Sequence, residues 1–284
     1  MQRILILGTG LIGASVGLAL RSAGFDGDIA GWDRNRAQAE LALQRGAVNA
    51  IAEDGIAVAR ASDVVVLAMP VLAILDWMGR LAPVMRPGQL LTDVGSTKSR
   101  ICQCAAELFP QGAAAFLPGH PMAGKETFGA AAADASLFQG AVWLFTPLPG
   151  QQSPAAAAWR AWVARFGSRG VDLDPERHDQ LCAWASHLPQ LVGTALAAAL
   201  EDEFGASAAE RSQLREVGGR AMREMTRLGA SPFSMWRDIA HTNAAPIAAS
   251  LLRLEQRLAH LRRSLVQPDL KAEFAKANRF RRDF

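Results

Sequence analysis

One short stretch near the N-terminus constrains the fold more than any other feature: Gly8-Thr9-Gly10-Leu11-Ile12-Gly13, set directly behind the apolar run Arg3 to Leu7. Three glycines at this spacing are weak evidence alone, but a preceding strand and a following helix make them a dinucleotide-binding turn. Gly8 allows the tight turn, Gly10 lets the backbone approach a pyrophosphate, and Gly13 lets the helix pack closely on the strand. Ala14 to Ala23 reads as that helix, whose N-terminus offers unpaired N–H groups to phosphate oxygens, and Leu11 and Ile12 within the turn are candidate cofactor contacts beside the glycines. A second strand, Asp28 to Trp32, ends at Asp33. A carboxylate in that place reads a ribose 2′-hydroxyl, which favours NAD, although Arg34 and Arg36 follow closely and offer a route to NADP.

The alternation of strand and helix continues. Asn35 to Arg45 predicts a helix, Val64 to Ala68 a buried parallel strand, Leu90 to Asp93 a further strand, and Ile101 to Leu108 a helix. Phe116-Leu117 and Ala141 to Phe145 predict two more strands of the same doubly wound sheet. Ligands bind beyond the carboxyl ends of such strands, so Met69-Pro70, Gly95-Ser96 and Gly119-His120 are expected to face the nicotinamide. From about Pro175 long helices take over: Glu176 to Leu200, Ala208 to Arg227 with Gly218-Gly219 interrupting it, and Asn243 to Leu265. The fold class is therefore α/β, with a dinucleotide-binding domain over residues 1–173 and an all-α substrate and dimerisation domain over 174–284.

Composition excludes several functions. The net charge is +3 and no basic block marks a nucleic-acid binder; Arg279 to Arg282 reads as a solvated terminus. No apolar run is uniform and long enough to span a bilayer, and no signal peptide opens the chain. Three cysteines, Cys102, Cys104 and Cys182, fit a reducing compartment, so a cytoplasmic protein is expected. Tyrosine is absent, which removes the Tyr-x-x-x-Lys acid/base pair of one large dehydrogenase class. Cys102 and Cys104 lie on one predicted helix without facing each other, and no metal site is expected. Proton transfer falls to His, Lys or a carboxylate.

Four segments hold the remaining signal. They are Asp93 to Lys98; Pro118-Gly119-His120-Pro121-Met122-Ala123-Gly124-Lys125-Glu126; His178-Asp179 with Ser186-His187-Leu188-Pro189; and Gly218 to Arg227 followed by Met235-Trp236-Arg237-Asp238-Ile239 and Asn243. Together, and in this order, they resemble the prephenate/arogenate dehydrogenase family of tyrosine biosynthesis. The resemblance spans nearly the whole chain. It implies a Rossmann domain plus a helical dimerisation domain, a homodimer, and NAD(P)-dependent oxidative decarboxylation of prephenate or arogenate. Within it, His120 is the candidate base and Ser96 a partner for the substrate hydroxyl or the imidazole. Arg227 is the candidate carboxylate clamp, with His187 and Arg223 as further pocket residues.

Structural roles stay open for several of these residues. Ser96 also fits as the cap of a helix beginning near Lys98, Arg227 as a helix-terminal arginine, and His187 as a core histidine. His178 and Trp236 read as structural; Cys182, His241 and His260 carry no assigned role. Many family members have a second histidine after the Ser-His-Leu-Pro run, where this chain has Gln190. A β-hydroxyacid dehydrogenase is disfavoured, since that group relies on a lysine in its helical domain and none lies between Lys125 and Lys271. An imine-reducing enzyme would share the glycine turn and the helical end. A non-enzymatic dinucleotide-binding sensor would keep the glycines and Asp33 without needing His120, Ser96 and Arg227 together. The chain's extent also leads us to expect a monofunctional enzyme without a fused regulatory domain.

Overall fold

The computed structural model describes all residues except 126, 151–152 and 284. Glu126, quoted in the second segment above, therefore lies outside the described residues. Strands β1 (Arg3–Leu7), β2 (Asp28–Trp32), β3 (Ala50–Ile51), β4 (Val64–Leu67), β5 (Leu90–Asp93) and β6 (Ala115–Leu117) form one parallel sheet in the order β3-β2-β1-β4-β5-β6. β1 pairs with β2 on one side, Ile4 opposite Ile29, and with β4 on the other, Ile4 opposite Val64. The chain therefore reverses its winding between β1 and β4, and the crevice for a ligand opens past their carboxyl ends.

Helices cover both faces: α1 (Leu11–Ser22), α2 (Arg36–Gln44), α3 (Gly55–Ala59), α4 (Val71–Leu81) and α5 (Ser99–Leu108), with α6 (Pro154–Arg165) further along. Successive strand residues point to opposite faces, which explains why the apolar runs are unbroken. Ile4, Ile6, Val64 and Val66 join Val16 and Leu20 of α1 in one buried cluster. Leu5, Leu7, Val65 and Leu67 join Ile74 of α4 and Ile101 of α5 in another.

One strand departs from expectation. The predicted Ala141 to Phe145 segment does not extend the parallel sheet. It is β8 (Val142–Phe145) of a separate three-stranded sheet, antiparallel to β7 (Gly119–Pro121) and parallel to β9 (Arg169–Asp172). Trp143 and Phe145 then pack with Trp159 of α6 in the first cluster, so the small sheet is anchored by aromatic burial.

The helical part comprises α7 (Pro175–Cys182), α8 (Leu188–Phe204), α9 (Ala208–Val217), α10 (Arg220–Thr226), α11 (Phe233–Thr242), α12 (Ala244–Arg263) and α13 (Asp269–Asp283). The helix expected from Glu176 to Leu200 is broken by a π-turn, Ala183–His187, which carries the Ser186-His187 pair. Such turns recur at functional sites. α11 and α13 were not legible as helices, and the solvated tail is helical through Asp283. Among the described residues, no helix is long and apolar enough to cross a membrane.

Candidate active site

The dinucleotide turn has the geometry its glycines require. Gly8 sits at φ +95°, and a Cβ there would run into the Ala68 carbonyl at the end of β4. A Cβ on Gly13 would strike the Gly8 carbonyl. Gly10, the N-cap of α1, has open space where its Cβ would stand, and α1 has no side-chain cap. Its first-turn amides therefore suit an anionic ligand, and a pyrophosphate fits this cradle.

Asp33 follows β2 and faces the turn. Its carboxylate accepts from the Thr9 amide at 2.9 Å and the Asn35 amide at 2.9 Å. Arg34 is exposed. Arg36 is held by two carboxylates, Glu40 at 2.9 Å and Glu53 at 2.8 Å. A 2′-phosphate would have to compete with both acids for that guanidinium and would meet Asp33 as well.

A cleft of 310 Å³ runs from this turn across the carboxyl ends of the strands. Gly10, Leu11, Ile12, Met69, Pro70 and Ser96 line one side. Ser231, Pro232, Met235 and Ile239, from α11 and the turn before it, line the other. Five of the expected cofactor residues and Ser96 thus line one cleft, which the helical part closes; Gly8, Gly13, Asp33, Arg34 and His120 are not part of its lining.

Ser96 is not a helix cap. α5 begins at Ser99, and its first amides are taken by a carboxylate from the helical part: Asp179 accepts from Lys98 N at 2.7 Å and Ser99 N at 2.9 Å. Asp238 does the same at α4, accepting from Leu72 N at 3.3 Å. Neither α4 nor α5 has a side-chain cap from its own flank. Two helix N-termini of the first half are thereby satisfied by acids of the second, where a negative charge also meets the positive helix end.

His120 lies on β7, just past the end of β6. Asp93, at the end of β5, holds both chemical loops: its carboxylate accepts from Gly95 N at 2.8 Å and Gly119 N at 3.2 Å. Ser96 and His120 are the next residues along. Asp93 also pairs with the ammonium of Lys98, and both side chains are fully buried. Removing one partner of such a pair would leave an uncompensated buried charge.

His120 is itself part of a chain of polar groups. Its Nδ1 lies 2.9 Å from His178 Nε2, and His178 Nδ1 lies 2.8 Å from Asp179 Oδ1. Cys182 Sγ is 3.6 Å from His178 Nε2 and 3.9 Å from His120 Nδ1. Among the described residues, the ring nitrogens and thiol of His120, His178 and Cys182 fall within 4.8 Å of one another, close enough to serve as one another's hydrogen-bond partners. The imidazole–imidazole distance is that of a direct hydrogen bond.

Burial holds His120 well below its ordinary pKa of 6.5, with His178, Lys98 and His187 adding repulsion of the cation. Burial also lowers His178, against the pull of Asp179. Burial works to raise Asp179, but hydrogen bonds from His178, Ser99 and Lys98 together keep it below the usual carboxylate range. The Cys182 thiol is pushed up to about 12 by burial and stays protonated. His120 is thus a neutral imidazole at neutral pH, as a base must be.

His187, in the π-turn, is buried, and burial pushes it down to about 4. Its Nδ1 lies 3.0 Å from Asn243 Nδ2, which also donates to the Asp179 carbonyl at 2.9 Å. An amide NH₂ donates, so His187 accepts at Nδ1 and carries its proton on Nε2. That nitrogen is buried with no partner among the described residues. A buried donor left unpaired beside a reaction site is a candidate for a ligand.

The arginines are less enclosed. Arg223 is exposed on α10, and Arg227 is exposed where α10 passes into a 3₁₀ turn. Neither lines the 310 Å³ cleft, which that strand of chain first meets at Ser231. Gln190, in the place of the second histidine, is bound at both ends: it donates to the Leu228 carbonyl at 2.6 Å and accepts from Ser231 Oγ at 3.0 Å.

Comparison with known proteins decides the family. Residues 16–171 match the nucleotide-binding domain of prephenate dehydrogenase, and residues 174–278 match its dimerization domain. The chain belongs to the prephenate dehydrogenase family. A prephenate dehydrogenase of Lactococcus lactis is 30% identical over 262 residues, covering 92% of this chain and 70% of that protein. The crystal structure of prephenate dehydrogenase from Aquifex aeolicus in complex with hydroxyphenyl propionate and NAD+ superposes with a TM-score of 0.88 at 26% identity, covering 99% and 97% of the two chains. Arogenate dehydrogenase from Synechocystis gives 0.80 at 27%, covering 99% of each.

His178, Asp179, Asp238 and Asn243 all stood in the four segments of the sequence, but His178 was read as structural and the other three were given no role; their contacts across the two halves appear only in the structure. The signal the sequence offered was the adjacent His178-Asp179 pair itself, set just behind the Asp174 cap and Pro175; its burial is visible only in the structure.

Proposed function

We propose that this chain oxidatively decarboxylates prephenate to 4-hydroxyphenylpyruvate with NAD, as a homodimer in the cytoplasm. The observation that carries the reading is His120: a buried, neutral imidazole beside the Ser96 loop, at the ligand-binding end of a dinucleotide fold. NAD in the Gly8–Gly13 cradle supplies the hydride acceptor. Asp33 holds the adenosine ribose, and the capture of Arg36 by Glu40 and Glu53 supports NAD over NADP.

His120 Nε2 takes the proton of the ring hydroxyl as hydride leaves the carbinol carbon and a carbonyl forms. Ser96 holds that oxygen. The ring carboxylate then departs as carbon dioxide; its bonding electrons make the ring aromatic and put negative charge on the oxygen. His120 returns the proton there, giving the phenol. Arg227 clamps a substrate carboxylate, His187 donates Nε2–H to the substrate, and Arg223 adds positive charge. His120 and Ser96 are thus the catalytic residues, and Leu11, Ile12, Arg34, Met69 and Pro70 border the cofactor with the glycines.

The division into residues 1–173 and 174–284 is part of this reading, and the two matched stretches support it. The dimer is supported by the apolar side chains that the helices leave exposed, among them Val217 at 80% and Phe280 at 69%. Three free cysteines support a reducing compartment. Arogenate, which carries an amino group where prephenate has a keto group, is the second reading, favoured by the likeness to the Synechocystis enzyme. Side-by-side initial rates on prephenate and arogenate, each with NAD and NADP, test the proposal. We expect the highest kcat/KM for prephenate with NAD. Turnover of neither compound would overturn it.

A further inference from the structure

The direction of each hydrogen bond in the Asp179–His178–His120 chain follows from what its members are able to donate. Asp179 already accepts from the amides of Lys98 and Ser99, and as a carboxylate it has no proton to give. His178 Nδ1, 2.8 Å from it, must carry the hydrogen. A neutral imidazole has one N–H, so His178 Nε2 is bare and accepts. His120 Nδ1, 2.9 Å away, must then be the donor. With its single hydrogen on Nδ1, His120 keeps its lone pair on Nε2. The Cys182 thiol is a weak donor at 3.6 Å and does not displace the shorter N–H bond.

We propose that His178 is a positioning residue that sets the tautomer of His120, with Asp179 setting that of His178, so that Nε2 of His120 is the bare nitrogen presented to the substrate. The inference rests on His120 being the base. When His120 takes the hydroxyl proton on Nε2, its Nδ1–H continues to donate to His178, and no proton has to travel to Asp179. The helical half thereby controls the chemistry of a side chain carried by the first half. Asp179 is fixed for this role from both sides: the N-terminus of α5 grips its carboxylate and Asn243 grips its backbone carbonyl. The same carboxylate that seals the two halves also orders the protons of the site.

Two replacements of His178 separate tautomer control from packing. His178→Gln places an amide where the ring stood; its NH₂ donates to Asp179 while its carbonyl accepts from His120 Nδ1. His178→Leu fills similar space and accepts nothing. We expect the Gln variant to keep kcat within about threefold of wild type. The Leu variant should lose about 10- to 100-fold in kcat with little change in KM, part of the 10²–10⁴ that complete loss of a general base carries. Nitrogen-15 NMR of histidine-labelled protein reads the cause without turnover: His120 protonated on Nδ1 in wild type and the Gln variant, and shifted toward Nε2–H in the Leu variant. Equal kcat for Leu and Gln, or His120 protonated on Nε2 in wild type, would overturn the proposal. A fully active His120→Asn would instead remove the base assignment on which it stands, leaving the NMR result intact, so the two failures are distinguishable.

Discussion

The two halves of the molecule close their cores differently. The first buries both faces of a parallel sheet under helices, and its two apolar clusters are complete within one chain. In the second, the buried apolar cluster consists of Ala183, Ile239 and Ile247 with a few partly buried neighbours. α9, α10 and α13 bury nothing among the described residues. Amphipathic helices gain most of their stability by packing an apolar face, so these need a partner surface. The first half carries the glycine cradle and His120, the proposed base. The second supplies the groups proposed to orient it, and its own stability is expected to come from a second copy.

This division of labour is tested most severely at the base. His120→Asn keeps shape and some hydrogen bonding but cannot take the proton. Turnover should fall roughly 10²- to 10⁴-fold, with a smaller change in substrate affinity. Steady-state kinetics with a parallel binding measurement checks this; normal turnover would mean that the first half does not carry the chemistry.

Next comes the clamp from the helical half. Arg227→Ala should act on KM more than on kcat, raising KM by roughly tenfold or more as a charge-assisted contact to a substrate carboxylate is lost. Arg227→Lys restores charge but not the planar fork, so it should rescue only in part. A loss confined to kcat would contradict the role.

The unfinished surface is tested by charge. Val217→Glu combined with Met225→Glu puts two carboxylates where apolar side chains are exposed. Analytical ultracentrifugation should show the dimer weakened at least about tenfold, each buried unpaired charge costing more than about 1.4 kcal/mol. Thermal melting of the first half should be little changed. An unaltered dimer would place the interface elsewhere.

The smallest effect concerns the cradle. Glu53→Gln frees part of Arg36, so kcat/KM with NADP should rise relative to NAD, by roughly tenfold or less on the scale of one charge-assisted contact. Kinetics with both cofactors decides it. A fall in the NADP ratio would show that Arg36 does not face the ribose.

Acidity tests the seam as a whole. His120, His178 and His187 are all lowered by burial, so between about pH 6.5 and their folded values the unfolded chain binds protons that the folded chain does not. Stability is therefore full above pH 6.5 and is lost as pH falls through the folded values, about 4 for His187. Denaturant titrations across this window should show the loss, and the acid limb of kcat/KM should lie below pH 6.5.

Much of the first half was legible because its physics is local. Parallel strands covered on both faces read as apolar runs, and the turn at Gly8 needs glycine for its backbone angle. The partner of Val142–Phe145 was not legible, because an apolar run does not say which sheet receives it. α13 was not legible as a helix because its charged end, Arg279 to Arg282, read as a solvated terminus. α6 did leave a mark, Ser153 as its cap and Pro154 at its first turn. His120, Ser96 and His187 were named as candidates from their segments alone. The link from His120 to His178 joins residues 58 apart across the seam, and nothing in either segment announces it.

Whether chemistry occurs where the two halves meet is decided by a crystal structure with NAD and 4-hydroxyphenylpyruvate bound. The phenolic oxygen should lie within about 3.2 Å of His120 Nε2, the reach of a general base, with the nicotinamide over the same ring carbon. Product bound away from His120, with the nicotinamide facing another pocket, would contradict this placement of the reaction.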